Sequence, residues 1–240
     1  MKKKIIIVSS IVLGFIILVL IVFFIYVSTF YRALDEAKKY LNTTDDVIVT
    51  EQENYYIFEK ENATKGIIFY PGGLVEAISY APLMYKLAEN GYLCILLEMP
   101  FNLAVFDINA ADGLGEEYDN ISEWYIGGHS LGGSMAASYL ENNKDDFEGL
   151  ILLGSYSTVD FSNDKIKVIS IYGEYDEVLN KNKYLENKGN LPCNFTEVII
   201  DGGCHAYFGT YGTQKGDGIP IISNFEQIDI TVENIIAFIE

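Results

Sequence analysis

The segment Gly128-His129-Ser130-Leu131-Gly132 constrains this chain more than any other. It follows the apolar run Trp124–Gly127 directly and precedes a helical pattern from Leu131 to Leu140. A serine with small residues two positions to either side, between a strand and a helix, fits a sharp strand-to-helix turn that lifts the hydroxyl clear of both elements. The glycines are needed because neighbouring backbone crowds such a turn. The helix that follows aims free amides and the positive end of its dipole at the same spot. The alternative is a Gly-rich turn in which Ser130 only caps the helix.

The rest of the chain from residue 45 alternates strand and helix. Val47–Thr50 and Tyr55–Glu59 predict early antiparallel strands. Gly66–Tyr70 (GIIFY), Tyr92–Leu97 (YLCILL), Trp124–Gly127, Leu150–Leu153, Lys167–Tyr172 and Phe195–Ile200 predict further short strands. Amphipathic stretches at Ser79–Asn90, Leu131–Leu140 and Ile230–Glu240 predict helices, the first stopped by Gly91. Short apolar strands separated by helices imply a mostly parallel sheet covered on both faces. In such a sheet, chemistry gathers at the carboxyl ends of the strands.

A serine hydroxyl needs a base. The chain has two histidines, His129 and His205. His129 precedes the serine in the turn and is expected to point away from its Oγ, which leaves His205, placed after the Phe195–Ile200 strand and the Gly202-Gly203 turn. The orienting acid should fall between serine and histidine in sequence. Asp176, after the Lys167–Tyr172 strand, has that placement. Glu174, Glu177, Asp160 and Asp201 compete with it. A tetrahedral intermediate needs two backbone amides. Leu131, next to the serine, offers one, and the Pro71-Gly72-Gly73-Leu74 turn offers the other from Gly73 or Leu74.

The N-terminus carries a separate signal. Residues 5–27 contain no charge and exceed the ~20 residues that a helix needs to cross a bilayer core. A secretory signal would have a shorter apolar stretch and a small-residue cleavage site. The run is therefore expected to be an uncleaved anchor. Lys2, Lys3 and Lys4 predict a cytoplasmic tip, a single span and a remainder on the outer face of the cell membrane. The expected domains are 1–29 (tip and anchor), 30–44 (a short helical stalk) and 45–240 (the sheet domain). The net charge is −18, with 16 Lys and Arg against 34 Asp and Glu. An acidic body of this kind repels phosphate backbones and argues against nucleic acid as a partner. Three cysteines do not make a disulfide framework, and no metal-ligand spacing is present. Asp217 is a poor metal ligand with no second hard donor near it in sequence.

These residues resemble the α/β-hydrolase superfamily over roughly 64–240. More narrowly, Tyr70-Pro71-Gly72-Gly73-Leu74, Met99–Ala104 and the run Gly202–Gly218 (Gly203, His205, Phe208, Tyr211-Gly212, Gln214, Gly216-Asp217-Gly218) look like small bacterial hydrolases grouped near the dienelactone hydrolases. The resemblance implies the α/β-hydrolase fold and a Ser130–Asp176–His205 hydrolase with no cofactor. Dienelactone hydrolases carry cysteine where this chain has Ser130, a departure that argues against a dienelactone substrate.

The expected activity is hydrolysis of a small-molecule carboxylic ester, or a thioester or amide, through a Ser130 acyl-enzyme. Acyl transfer to an alcohol, or a non-catalytic binding protein that kept the fold, are the alternatives. The Gly154–Lys165 connection is too short for a helical lid, so an open site is expected. The Tyr207–Gly218 loop is expected to fold over it and fix His205.

Overall fold

The computed structural model describes the backbone of residues 2–240 and the side chains of residues 9–240. The chain forms two units, one ending at Phe30 and the other spanning Tyr31–Glu240. The first is helix α1 (Lys2–Ser28). Its segment Ser9–Ser28 is long and apolar enough to cross a membrane. The side chains of residues 5–8 and of Lys2, Lys3 and Lys4 lie outside the described ones.

The second unit starts earlier than the sequence suggested. Residues 31–41 are not a free stalk. They include α2 (Asp35–Lys38) and a 3-10 turn at Lys39–Leu41. Ala37 is fully buried, Tyr31 bridges Val75, and Tyr40 packs against Tyr85 and Phe225. Two tyrosines and an alanine on one short segment bury more apolar surface on the body than they could as a solvated stalk.

The body is an eight-stranded sheet of β1 (Ile48–Glu51), β2 (Tyr55–Glu59), β3 (Lys65–Tyr70), β4 (Tyr92–Leu97), β5 (Glu123–His129), β6 (Gly149–Leu153), β7 (Lys167–Gly173) and β8 (Thr196–Ile200), in the order β1-β2-β4-β3-β5-β6-β7-β8. β1 and β2 are antiparallel; β3 to β8 run parallel. Helices α3 (Ala81–Glu89), α4 (Leu131–Leu140), α5 (Lys181–Asn187) and α6 (Asn224–Ile239) complete it.

The strands alternate their side chains between two cores, as the period of two requires. Ile67 and Phe69 of β3 join Leu83, Met84 and Leu87 of α3 and Ile228 and Ile235 of α6 on one face. Ile68 and Tyr70 join Ile126, Leu150, Leu152 and Ala136 and Leu140 of α4 on the other. Both faces are covered, which is why the central strands read as unbroken apolar runs. The chain leaves β3 for β4 on one side and returns to β5 on the other. A crevice opens where such crossovers part, outside the carboxyl ends of β3 and β5. Gly73 and Ser130 follow those two ends.

Candidate active site

Ser130 stands at φ 52° and ψ −121° between β5 and α4 and makes no capping bond to the helix. A capping serine would sit in the extended region and accept an amide of the first turn, so the cap alternative does not describe this residue. A non-glycine at positive φ is held only where its surroundings over-determine it. The Ser130 N–H donates to Leu153 O at 2.9 Å, and the Ser155 hydroxyl donates to Ser130 O at 2.7 Å. Crowding explains the glycines on both sides: a Cβ on Gly132 would lie 2.3 Å from the Pro71 and Tyr70 carbonyl oxygens, and one on Gly128 2.6 Å from Tyr70 O.

Asp176 and His205 meet after the ends of β7 and β8. Their side chains are at most 1 % exposed, with Asp176 Oδ2 2.8 Å from His205 Nδ1. Asp176 Oδ1 accepts the N–H groups of Val178 and Leu179 at 3.0 and 2.8 Å, which fixes the carboxylate. Glu174, Glu177, Asp160 and Asp201 are exposed, and Glu174 is turned to the Gly202 N–H. His205 Nε2 is buried with no partner among the described residues. Gly154 leaves the space this pair needs: it lies at φ +51°, and a Cβ there would be 2.9 Å from His205 Nδ1 and 3.1 Å from Asp176 Oδ2.

The loop bearing His205 is clamped from two sides. Asp217 Oδ1 accepts the N–H groups of His205, Glu177 and Gly218 at 3.2, 3.3 and 2.9 Å, and Oδ2 that of Ala206 at 2.8 Å. One carboxylate thus ties the loop of His205 to the loop of Asp176. Gln227 of α6 grips Cys204 on both backbone groups, at 2.9 and 2.8 Å. Gln227 lies outside the helix expected at Ile230–Glu240, because the observed helix starts earlier, at Asn224.

Of the two amides offered by the turn after β3, that of Leu74 is taken: it donates to Asn102 O at 2.7 Å. Leu74, Phe101 and Asn102 all lie at φ near +55°, so two left-handed turns are locked together there. The Gly73 N–H has no partner among the described residues. A Cβ on Gly73 would press Leu131 Cδ2 at 2.9 Å, so Gly73 and Leu131 adjoin. The Leu131 N–H is in the first turn of α4, where no intrahelical acceptor exists.

His129 does more than the sequence implied. Its ring lies against that of His205, with centroids 4.4 Å apart. Tyr80 Oη sits 2.7 Å from His129 Nδ1 and accepts the Gly72 N–H at 3.1 Å. Burial first, and the neighbouring His205 second, hold His129 well below the ordinary imidazole pKa, so the ring is neutral. Burial likewise raises the Tyr80 phenol, which stays protonated. With its oxygen accepting from Gly72, the phenol O–H is left to donate to His129. Neither Tyr80 nor this tie carries a sequence motif.

No helix forms across residues 154–166, so that connection builds no helical cap. Residues 98–122 form a second long connection beside the Gly73 turn, with only 3-10 turns and no periodicity in sequence. It leaves Phe101, Val105 and Phe106 about half exposed.

A strand-turn-helix serine, a buried Asp–His pair at neighbouring strand ends and this strand order define the α/β-hydrolase fold. Residues 66–229 match the alpha/beta hydrolase family model, and the chain belongs to that family. Solved structures agree in fold. Est1E from Butyrivibrio proteoclasticus superposes with a TM-score of 0.57 at 15% identity, covering 81% of this chain and 99% of that one. Carboxylesterase CesB from Bacillus subtilis gives 0.58 at 11% identity, covering 85% and 95%. Carboxyl esterase 2 from Tuber melanosporum gives 0.56 at 11% identity, covering 88% and 91%. A search of curated proteins finds no match. The narrower likeness to the dienelactone hydrolases rests on the sequence stretches alone.

Proposed function

We propose that the chain is a membrane-anchored carboxylic ester hydrolase working through a Ser130 acyl-enzyme. The observation that carries this reading is the buried Asp176–His205 bond, with His205 Nε2 unpartnered among the described residues, together with a serine held at positive φ between β5 and α4.

Ser130 Oγ attacks the ester carbonyl carbon while His205 Nε2 takes its proton. Asp176 holds the Nδ1 proton and the ring orientation, and stabilises the imidazolium that forms. The carbonyl oxygen becomes an oxyanion facing the N–H groups of Gly73 and Leu131. The carbon–oxygen bond to the alcohol breaks, and the alcohol leaves with the proton from His205. Water then gives a proton to His205 and its oxygen to the acyl carbon; the bond from that carbon to Ser130 Oγ breaks as His205 returns the proton to Oγ, which releases the acid. Ser130 Oγ makes no hydrogen bond to His205 here; bonds of this kind commonly close only around substrate.

The esterase neighbours support an ester as substrate. The apolar segment Ser9–Ser28 supports an anchor, and the lysines before it support a domain on the outer face. The test is kinetic. Against model esters, His205→Ala should lose on the order of 10³-fold or more in kcat and Asp176→Asn a similar or smaller factor. Full activity in His205→Ala would overturn the mechanism.

A further inference from the structure

The start of β5 and the end of α4 border a second cavity, at the end of the sheet away from Ser130. Trp124 of β5, Tyr139 of α4 and Phe147, just before β6, line it together with Gly115, Glu116 and Asp146. Trp124 and Ser130 are separated by the length of β5, roughly 20 Å at ~3.3 Å per residue, so the cavity is no part of the catalytic site. Its volume is about 250 Å³. Pockets that take drug-sized molecules run to roughly 300–1,000 Å³, so this one suits a smaller ligand.

The lining combines aromatic rings with negative charge. Trp124, Tyr139 and Phe147 are 8%, 5% and 9% exposed, and the Tyr139 and Phe147 rings meet edge to face. Glu116 and Asp146 stand exposed at the rim, and no lysine or arginine lines the cavity. Burial first, and then the Asp112 and Asp146 carboxylates, push the Tyr139 phenol above its ordinary pKa, so Asp112 adds to the negative charge gathered here. None of Asp112, Glu116 and Asp146 is in an ion pair among the described residues. Carboxylates without counter-ions raise the local concentration of cations, and aromatic faces attract organic ammonium groups.

Trp124 adds a donor. The six-membered part of its indole packs on Gly66, where a Cβ would lie 2.3 Å from the ring, and its Nε1 adjoins Gly115, where a Cβ would lie 3.3 Å away. The side chain is more than nine-tenths buried, yet the Nε1–H has no acceptor among the described residues. A buried indole N–H ordinarily finds a partner. Gly115, which lines the cavity, has no side chain to supply one.

We propose that this cavity binds a small organic ammonium ion that also carries a hydroxyl or ether oxygen, the chemistry of an amino alcohol. The cationic head lies among the Tyr139 and Phe147 rings and the Glu116 and Asp146 carboxylates, and the oxygen accepts the Trp124 Nε1–H. The same acidic rim repels ligands that carry a carboxylate or phosphate. The site rests on its own observations, apart from the esterase reading.

Trp124 is the one tryptophan of the chain, so indole emission, excited selectively, reports on this cavity. Choline is titrated into the detergent-solubilised full chain, with sodium chloride holding the ionic strength constant. The emission should change saturably, with a Kd on the order of 1 mM, and choline should raise Tm. Dimethylbutanol, the uncharged carbon analogue of choline, should bind on the order of tenfold more weakly, and tetramethylammonium, which lacks the hydroxyl, should also bind more weakly. Glu116→Gln/Asp146→Asn, at two exposed positions, should raise the choline Kd on the order of tenfold with an unchanged circular dichroism spectrum. An emission that does not saturate, together with an unmoved Tm, would overturn the proposal. Equal affinity for either analogue, or a choline Kd unaltered in the double variant, would overturn it too.

Discussion

Tyr80→Phe removes one oxygen atom and strands two buried groups. In the native chain that oxygen accepts the Gly72 N–H and bonds His129 Nδ1, and both Tyr80 and His129 are essentially unexposed. A buried polar group left unpaired costs about 1–3 kcal/mol. Two such groups give about 2–6 kcal/mol in all, since neither is free to find water. At about 2–4 °C per kcal/mol for a chain of this size, Tm should fall by roughly 4–24 °C. The assay is thermal unfolding of the detergent-solubilised full chain by near-UV circular dichroism. Tyr80→Phe/His129→Leu removes one of the stranded groups along with the phenol, so the double variant should be more stable than the two single losses added together, by about 1 kcal/mol. Activity should fall with the single change, because Gly72 precedes Gly73 and His129 backs His205. A drop in Tm below about 2 °C, or strict additivity in the double variant, would refute the reasoning.

Gly154→Ala puts a methyl group 2.9 Å from His205 Nδ1 at a positive φ. Misplacing the base in this way should cost on the order of 10²-fold in kcat, with KM changed far less, as read from steady-state kinetics; an unimpaired variant would mean that the pair tolerates displacement. Asp217→Asn keeps one acceptor where the carboxylate now serves four amides, so kcat should fall while Asp217→Glu recovers part of it; equal activity of both variants would show that the clamp does not position His205. His129 is neutral in the fold, whereas the unfolded chain takes up its proton first as pH falls. Its contribution is therefore complete above about pH 6.5 and declines by up to about 1.4 kcal/mol per pH unit below it; His129→Leu should flatten the urea stability curve between pH 7 and 5.5, and an unchanged slope would count against a buried neutral ring. Protease added to intact cells should digest the body of the chain, and protection until lysis would reverse the proposed orientation.

The sheet and the three polar residues of the site were legible because each rests on local pattern. The apolar runs of β3 to β7 need both faces covered, Ser130 needs its flanking glycines, and His205 had only one rival. What stayed hidden depends on contacts between distant segments. That the Leu74 amide is taken turns on Asn102, 28 positions beyond Leu74, whose left-handed backbone brings its carbonyl to that amide. The segment 31–34 looked like a stalk because its hydrogen bonds go to backbone groups of Leu74, Glu76, Thr210 and Lys215 and to the Glu76 carboxylate, which no periodicity encodes. His129 was expected to stand aside; that it backs His205 depends on Tyr80, a residue in a 3-10 turn whose hydroxyl finds two partners only once β3 and β5 are side by side.

The most direct test of the account is covalent labelling with a fluorophosphonate, which reacts only with a serine activated as Ser130 is proposed to be. Peptide mass spectrometry of the labelled chain should place the adduct on Ser130, in the peptide that begins the α4 helix, and Ser130→Ala should remain unlabelled while keeping the wild-type circular dichroism spectrum. An adduct on another serine, or undiminished labelling of Ser130→Ala, would contradict the assignment of Ser130 as the nucleophile.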